Sequence, residues 1–273
     1  ILDLREKINA IDKTGLLSSV ESLPDQIQDA WEQTQNLVFP DTFPNISNII
    51  VSGMGGSSLG AQVIKRLFKD ELSVPIEIYP HYHLPGYAGK NSLVILSSYS
   101  GTTEETLAAA ENALQVGSKI AVITGGGKLA ELATAHNWPI YLINANFNPC
   151  QQPRMAIGYA VFGMLSMFAK MGLINISQDQ VLNVVDNLRE MVKKLGPEGN
   201  NDLAKLMAYA SYDKHIILVG AEHLIGAAHV FNNQINENAK SLTSEWHLPE
   251  FNHHYMEALS YPKLAKETTI FFF

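Results

Sequence analysis

Apolar runs of strand length alternate with helical segments along most of this chain, and that alternation constrains the fold more than any other feature. From residue 48 the runs are NIIVSG (48–53), VPIEIY (74–79), SLVILSS (92–98), KIAVIT (119–124) and WPIYLI (138–143). Helical patterns fall between them, at about 59–69, 103–116 and 129–137. Uninterrupted β-branched runs are strands buried on both faces, and strand–helix–strand repetition builds a parallel sheet covered by helices. The first 45 residues read as two or three short helices, broken at Pro24.

After Asn144 the pattern changes. NANFNPCQQPR is a polar connector with two prolines. Helical stretches follow at about 154–171, 178–195 and 202–211, then a strand KHIILVGA (214–221), a helix at about 224–239 and a terminal strand ETTIFFF. This half repeats the strand–loop–helix theme with only two clear strands. The expected architecture is α/β, with residues 1–149 forming N-terminal helices and a first parallel-sheet domain, and 150–273 a second domain that is incomplete at its C-terminal end. Neither end reads as natural: position 1 is not Met, and three consecutive phenylalanines close a strand-like segment. An exposed apolar edge of that kind invites aggregation, so the strand is expected to continue into further sequence.

Composition removes several function classes. Lys+Arg number 19 against 27 Asp+Glu, a net charge of −8. No basic surplus exists to coat a nucleic-acid backbone, so no nucleic-acid partner is expected. The single Cys150 excludes an intrachain disulfide and multi-cysteine zinc or iron–sulfur sites. The N-terminal ILDLREKINAID lacks the basic start and apolar stretch of a signal peptide. The longest uncharged apolar-rich stretch, 155–169, is shorter than the about 20 residues of a membrane span and reads as a buried helix. A cytoplasmic protein with no membrane partner is the expectation.

In an open parallel sheet, ligands collect at the C-terminal ends of the strands. Two such ends carry small, hydroxyl-rich loops that lead into helices: Ser52-Gly53-Met54-Gly55-Gly56-Ser57-Ser58 and Ser97-Ser98-Tyr99-Ser100-Gly101-Thr102-Thr103-Glu104-Glu105-Thr106. Glycines let the backbone approach a ligand, hydroxyls add donors, and a helix N-terminus offers unpaired N–H groups. Such loops can hold a phosphate without a lysine. The alternative is ordinary helix capping, since Ser/Thr followed by Glu is also a capping signature. Two look-alike motifs fail. A dinucleotide fingerprint needs a third glycine where Ser58 stands, and the run Gly125-Gly126-Gly127-Lys128 lacks the P-loop's opening glycine and final Ser/Thr.

SGMGGSSLGAQVI followed by SSYSGTTEETL resembles the sugar isomerase (SIS) domain. QQPRMAIGYAVFGML, FNNQINENAKSLTSEW and LPEFNHHYMEAL narrow the resemblance to the bifunctional phosphoglucose/phosphomannose isomerase family. The resemblance implies two SIS subdomains, each a parallel sheet flanked by helices. It implies interconversion of glucose 6-phosphate or mannose 6-phosphate with fructose 6-phosphate, with no metal and no organic cofactor. The implied phosphate pocket falls on Gly55, Gly56, Ser57, Ser98, Ser100 and Thr103. The implied arginine is Arg154, the catalytic glutamate Glu237, and the ring-opening histidine His253. A homodimer is also implied, with His253 contributed across the interface. Many relatives have Asn where Thr102 stands. The family pattern also continues into a C-terminal segment with a substrate-side lysine and a threonine tied to accepting both epimers, and this sequence holds no counterpart.

Aldose–ketose isomerisation moves a hydrogen between C1 and C2 of an opened sugar. It needs an acid/base group for ring opening and a base that takes the proton beside the carbonyl, giving an enediol. A desolvated carboxylate at Glu237 suits the second role. An imidazole at His253 suits the first, with His254 as its neighbour and rival. Read from composition alone, Glu237 is a solvated surface residue, the histidine pair a polar helix turn, and Arg154 a stem-packed or ion-paired arginine. A non-catalytic phosphosugar-binding SIS module, or another SIS isomerase such as one for aminosugar phosphates, would share the two loops.

Overall fold

The computed structural model describes residues 2–41, 43 and 45–273. Among them, eight strands form two sheets, and every pairing is parallel. The first sheet contains β1 (Asn48–Ser52), β2 (Ile76–Ile78), β3 (Ser92–Ser98), β4 (Lys119–Thr124) and β5 (Ile140–Leu142), in the order β2-β1-β3-β4-β5. The second contains β6 (His215–Gly220), β7 (Thr243–His247) and β8 (Thr268–Phe272), in the order β7-β6-β8. Helices α1 (Arg5–Ile11), α2 (Leu16–Glu21) and α3 (Leu23–Gln33) precede the first sheet, and α4 (Leu59–Leu67), α5 (Glu104–Gln115) and α6 (Gly127–Ala135) connect its strands. Then come α7 (Ile157–Lys170), α8 (Gln178–Leu195) and α9 (Leu203–Ser211), with α10 (Ile225–Gln234) and α11 (Glu250–Ala258) serving the second sheet.

The first sheet follows the sequence pattern closely. β3 is buried along its whole length, and Ile49, Ile50 and Val51 of β1 are inaccessible to solvent. A strand covered on both faces has no reason to alternate. The break expected at Pro24 falls between α2, which ends at Glu21, and α3, which starts at Leu23. Pro24 stands in the first turn of α3, where a missing N–H leaves no bond unmade.

The chain divides into two compact bodies. One comprises Thr14–Ala61 with Asp70–Arg189 and holds the first sheet; the other comprises the residues up to Lys13, Gln62–Lys69 and Glu190–Phe273 and holds the second. Residues 150–189 belong to the body that holds the first sheet. Small residues and one buried amide are the reason. A side chain at Gly163 would press on the ring of Tyr141 at 2.2 Å, and one at Gly158 on Cβ of Gln26 at 2.5 Å. Gln26 is itself fully buried. Its amide donates to the carbonyl of Met155 at 2.9 Å and accepts from the amide of Gly158 at 3.1 Å. A buried amide with both ends satisfied fixes the partner it faces. α7 is buried over most of its circumference, as the apolar stretch 155–169 implies, and no helix among the described residues is long and apolar enough to cross a membrane.

The second body contains a strand that the sequence pattern hides. β7, TSEWH, pairs with β6 from Ile216↔Thr243 to Gly220↔His247. It lies at the sheet edge and is mostly half-buried, so it carries polar residues instead of an apolar run. Its core partners are Ile217, Val219 and Phe251, with Trp246, Tyr255 and Ile270 packed around them.

Candidate functional site

The order β2-β1-β3-β4-β5 reverses direction between β1 and β3. In open α/β sheets the crevice at that switch point, outside the carboxyl ends of the strands, is where ligands bind. The loops after β1 and β3 are the two hydroxyl-rich segments singled out above, so the sheet topology brings them together.

Close packing fixes their shape. A Cβ on Gly53 would stand 2.9 Å from the carbonyl oxygen of Ser97, and one on Gly101 only 1.8 Å from that of Gly126. Gly55 (φ +49°) and Gly101 (φ +68°) hold left-handed backbone that favours glycine. The Ser97 hydroxyl donates to the carbonyl of Ser57 at 2.7 Å, stitching one loop to the other. The backbone of Arg154 lies beside the first loop, with its Cα 3.7 Å from where a Gly56 Cβ would be. Arg154 follows Pro153 in a single 3-10 turn, and its Nη1 donates to Oε1 of Gln152 at 2.9 Å. Gly56, Ser57, Ser97, Tyr99, Pro153 and Ala156 share the lining of one small pocket.

The hydroxyls act mainly as acceptors within the loops. Ser57 Oγ accepts from the amide of Tyr99 at 3.1 Å. Ser100 Oγ accepts from the amide of Thr102 at 3.3 Å and from its hydroxyl at 3.1 Å. Ser98 Oγ accepts from the amide of Gly101 at 3.1 Å and is 2.8 Å from Thr103 Oγ1. A hydroxyl has one proton to give. Those of Ser57 and Ser100, and one from the Ser98–Thr103 pair, have no acceptor among the described residues. Thr103 is the N-cap of α5 but makes no side-chain capping bond. The capping alternative is thus not realised at Thr103, although Glu104 and Glu105 place two carboxylates in the first turn of α5, where negative charge is favoured.

Glu237 and His253 lie in the other body. Glu237 is half-buried on a π-helical turn, Ile235–Ala239, that prolongs α10. His253 lies on the exposed face of the first turns of α11. Its neighbour is otherwise engaged: His254 Nε2 is 3.5 Å from Glu250 Oε1, and its ring meets that of Trp246 edge-on at 5.3 Å.

One polar group was not legible in the sequence. Glu245 Oε1 lies 2.7 Å from His229 Nδ1 and 3.9 Å from His247 Nε2. Burial holds the His247 imidazole below its ordinary pKa, with Arg66 and His229 adding to the effect and Glu245 opposing it. Glu245 and His247 are two apart on β7 and so share a face, which becomes visible only once that segment is known to be a strand. Among the described residues no group of three or more His, Cys, Asp or Glu side chains is arranged to hold a metal ion.

Two parallel sheets with loops of this kind define a SIS-type α/β protein. Residues 43–148 match the SIS domain family, and residues 200–273 match the family described as bacterial phospho-glucose isomerase C-terminal SIS domain. The C-terminal domain of glucosamine-fructose-6-phosphate aminotransferase from Francisella tularensis is similar in fold, with a TM-score of 0.68 and 12% identity, over 94% of this chain and 75% of that one. The chain is 35% identical to the bifunctional phosphoglucose/phosphomannose isomerase of Caldicellulosiruptor bescii, over 91% of this chain and 73% of that protein. It is 30% identical to the protein of the same name from Thermoplasma acidophilum, over 76% of this chain and 60% of the relative. The chain belongs to the bifunctional phosphoglucose/phosphomannose isomerase family, a family of enzymes. It spans between 60% and 73% of the length of these two relatives.

Proposed function

We propose that this chain is an aldose–ketose isomerase that interconverts glucose 6-phosphate or mannose 6-phosphate with fructose 6-phosphate. The observation that carries the reading is the pair of loops at the switch point, with hydroxyl protons and helix amides left to donate. The phosphate is held by the backbone of Gly55 and Gly56 and by the hydroxyls of Ser57, Ser98, Ser100 and Thr103. His253 moves the ring-opening proton between the ring oxygen and the C1 oxygen. Glu237 takes the proton from C2 of the open aldose, leaving a cis-enediol(ate), and returns it to C1 as the O2 hydroxyl proton passes to O1, giving the ketose. The Arg154 guanidinium steadies the negative oxygen as it develops. In the reverse direction Glu237 takes the proton from C1. The exposed imidazole of His253, beside an engaged His254, supports His253 as the member of the pair free to act. Its exposure on this chain also supports delivery to the site of a second copy, in a homodimer. A cytoplasmic setting suits a sugar-phosphate substrate.

A coupled assay with fructose 6-phosphate tests the reading. Glu237→Gln removes the base and lowers kcat by ~10³-fold, while sugar-phosphate binding, followed by thermal shift, persists. Full turnover in that variant refutes the assignment of the base. Mixing inactive Glu237→Gln with inactive His253→Ala chains regenerates some sites if the histidine acts across the interface. Hybrid dimers with no recovered activity place both groups on one chain.

A further inference from the structure

Glu237 does not stand on regular α-helix. α10 ends at Gln234, and Ile235–Ala239 form a π-turn before Lys240 closes it in left-handed conformation (φ +55°). Each residue of a π-turn advances less around the axis than the roughly 100° of an α-helix. The direction of the Glu237 carboxylate therefore depends on the turn staying wide.

Side chains tie that turn to the second sheet. Oδ1 of Asn236 accepts from the backbone amide of Thr243 at 3.1 Å. The Thr243 hydroxyl reaches back to the helix, to Oδ1 of Asn232 at 2.6 Å and its carbonyl at 3.2 Å. The Asn236 amide nitrogen lies 3.4 Å from Oδ1 of Asn232. Thr243 is buried, opens β7, and is registered against Ile216 of β6. It is therefore a fixed post. On the other side, Lys240 Nζ donates to the carbonyl of Glu237 at 2.5 Å. The residue before Glu237 is thus anchored through its side chain to the sheet, and the Glu237 carbonyl is bonded locally, by the lysine that closes the turn.

We propose that Asn236, anchored by Thr243 and Asn232, is a positioning residue that aims the Glu237 carboxylate at the sugar carbons. The inference rests on Glu237 being the base. Asparagine serves because it accepts from the Thr243 amide while donating toward Asn232 and carries no charge. Aspartate keeps the acceptor but puts a negative charge next to Glu237, which raises the pKa of the base.

The test is kcat, KM and pH–rate profiles for the wild type, Asn236→Ala, Asn236→Asp and Glu237→Gln, with melting temperatures alongside. Asn236→Ala is expected to lower kcat by ~10–100-fold with KM within ~3-fold, since a displaced group of about 1 Å can cost that much. Asn236→Asp is expected to keep kcat within ~3-fold at its optimum while the acid limb of its profile moves to higher pH. Wild-type kcat in Asn236→Ala overturns the inference, as does equal loss in Ala and Asp with unshifted profiles, the mark of a purely structural role. If Asn236→Ala fails to fold, the acid limb of Asn236→Asp decides: an unmoved limb overturns the inference. Should Glu237→Gln retain turnover, the base assignment fails instead. Should Glu237→Gln be inactive and Asn236→Ala normal, the positioning role alone fails.

Discussion

After β1, Met54 is extended (φ −108°, ψ 145°), Gly55 turns left-handed (φ +49°), and the 3-10 turn Gly55–Ser58 leads into α4. After β6, Ala221 is extended (φ −123°, ψ 147°), Glu222 turns left-handed (φ +50°), and the 3-10 turn Glu222–Leu224 leads into α10. The two sheets use one backbone device and clothe it with opposite chemistry. The first copy is bare: the Ser57 hydroxyl accepts from the amide of Tyr99 and keeps its proton to donate, while the Ser58 hydroxyl gives its own to the carbonyl of Gly55. The second carries a carboxylate, paired with Lys69, whose hydrogen bond and charge hold it below the ordinary glutamate pKa. Glu222 also adopts a conformation that L-residues other than glycine rarely take. A strand, a left-handed residue and a helix start do not by themselves make an anion site; the side chains on them decide.

The comparison can be broken most forcefully at Gly101. Its Cβ would collide with the Gly126 carbonyl on backbone that cannot yield, so Gly101→Ala is expected to cost on the order of 4 kcal/mol, read as a denaturant midpoint shift. Gly55 is different, because nothing lies within 4 Å of its would-be Cβ. Gly55→Glu, which copies the second loop into the first, should cost only about 1 kcal/mol of stability. Its carboxylate should nevertheless weaken sugar-phosphate affinity by ~100-fold through like-charge repulsion. Unchanged affinity by titration calorimetry would mean that the first loop is not where the phosphate sits.

The smallest effect concerns pH. β1 and β3 carry no titratable side chain, whereas β7 carries Glu245 and His247, facing His229 of α10 and Arg66 of α4. In the folded chain His247 takes its proton at lower pH than in the unfolded chain, where it titrates near 6.5. The unfolded state therefore binds more protons just below pH 6.5. The stability that His247 contributes is fully present above that value and declines as pH falls through it. His247→Gln should flatten the fall in melting temperature between pH 7 and 5. An unchanged slope would assign it to other groups.

What could be read from sequence follows the same contrast. β1, β3 and β4 were legible because burial on both faces leaves uninterrupted apolar runs. β7 was not, because an edge strand tolerates Ser244, Glu245 and His247, and the face-sharing of that Glu and His was lost with it. The hydroxyl loops were legible because their chemistry is local, but not the acceptor bonds that leave Ser57 and Ser100 protons over. Glu237 and His253 emerged only through resemblance, since a glutamate between two asparagines has no distinctive local pattern. The π-turn beneath Glu237 escaped because its periodicity barely differs from that of the helix it extends. Packing of 150–189 on the first sheet depends on Gly158 and Gly163 meeting Gln26 and Tyr141, more than a hundred and about twenty positions away respectively, beyond the reach of any local pattern.

The central claim is that Glu237 carries a proton between adjacent carbons of a phosphate-anchored sugar. Running the reaction from fructose 6-phosphate in D2O and locating deuterium in the aldose by NMR tests it most directly. The account predicts deuterium at C2 of the wild-type product to the extent that the proton held by Glu237 exchanges with solvent, and product formed ~10³-fold more slowly by Glu237→Gln. Turnover or labelling by Glu237→Gln at the wild-type rate would contradict it.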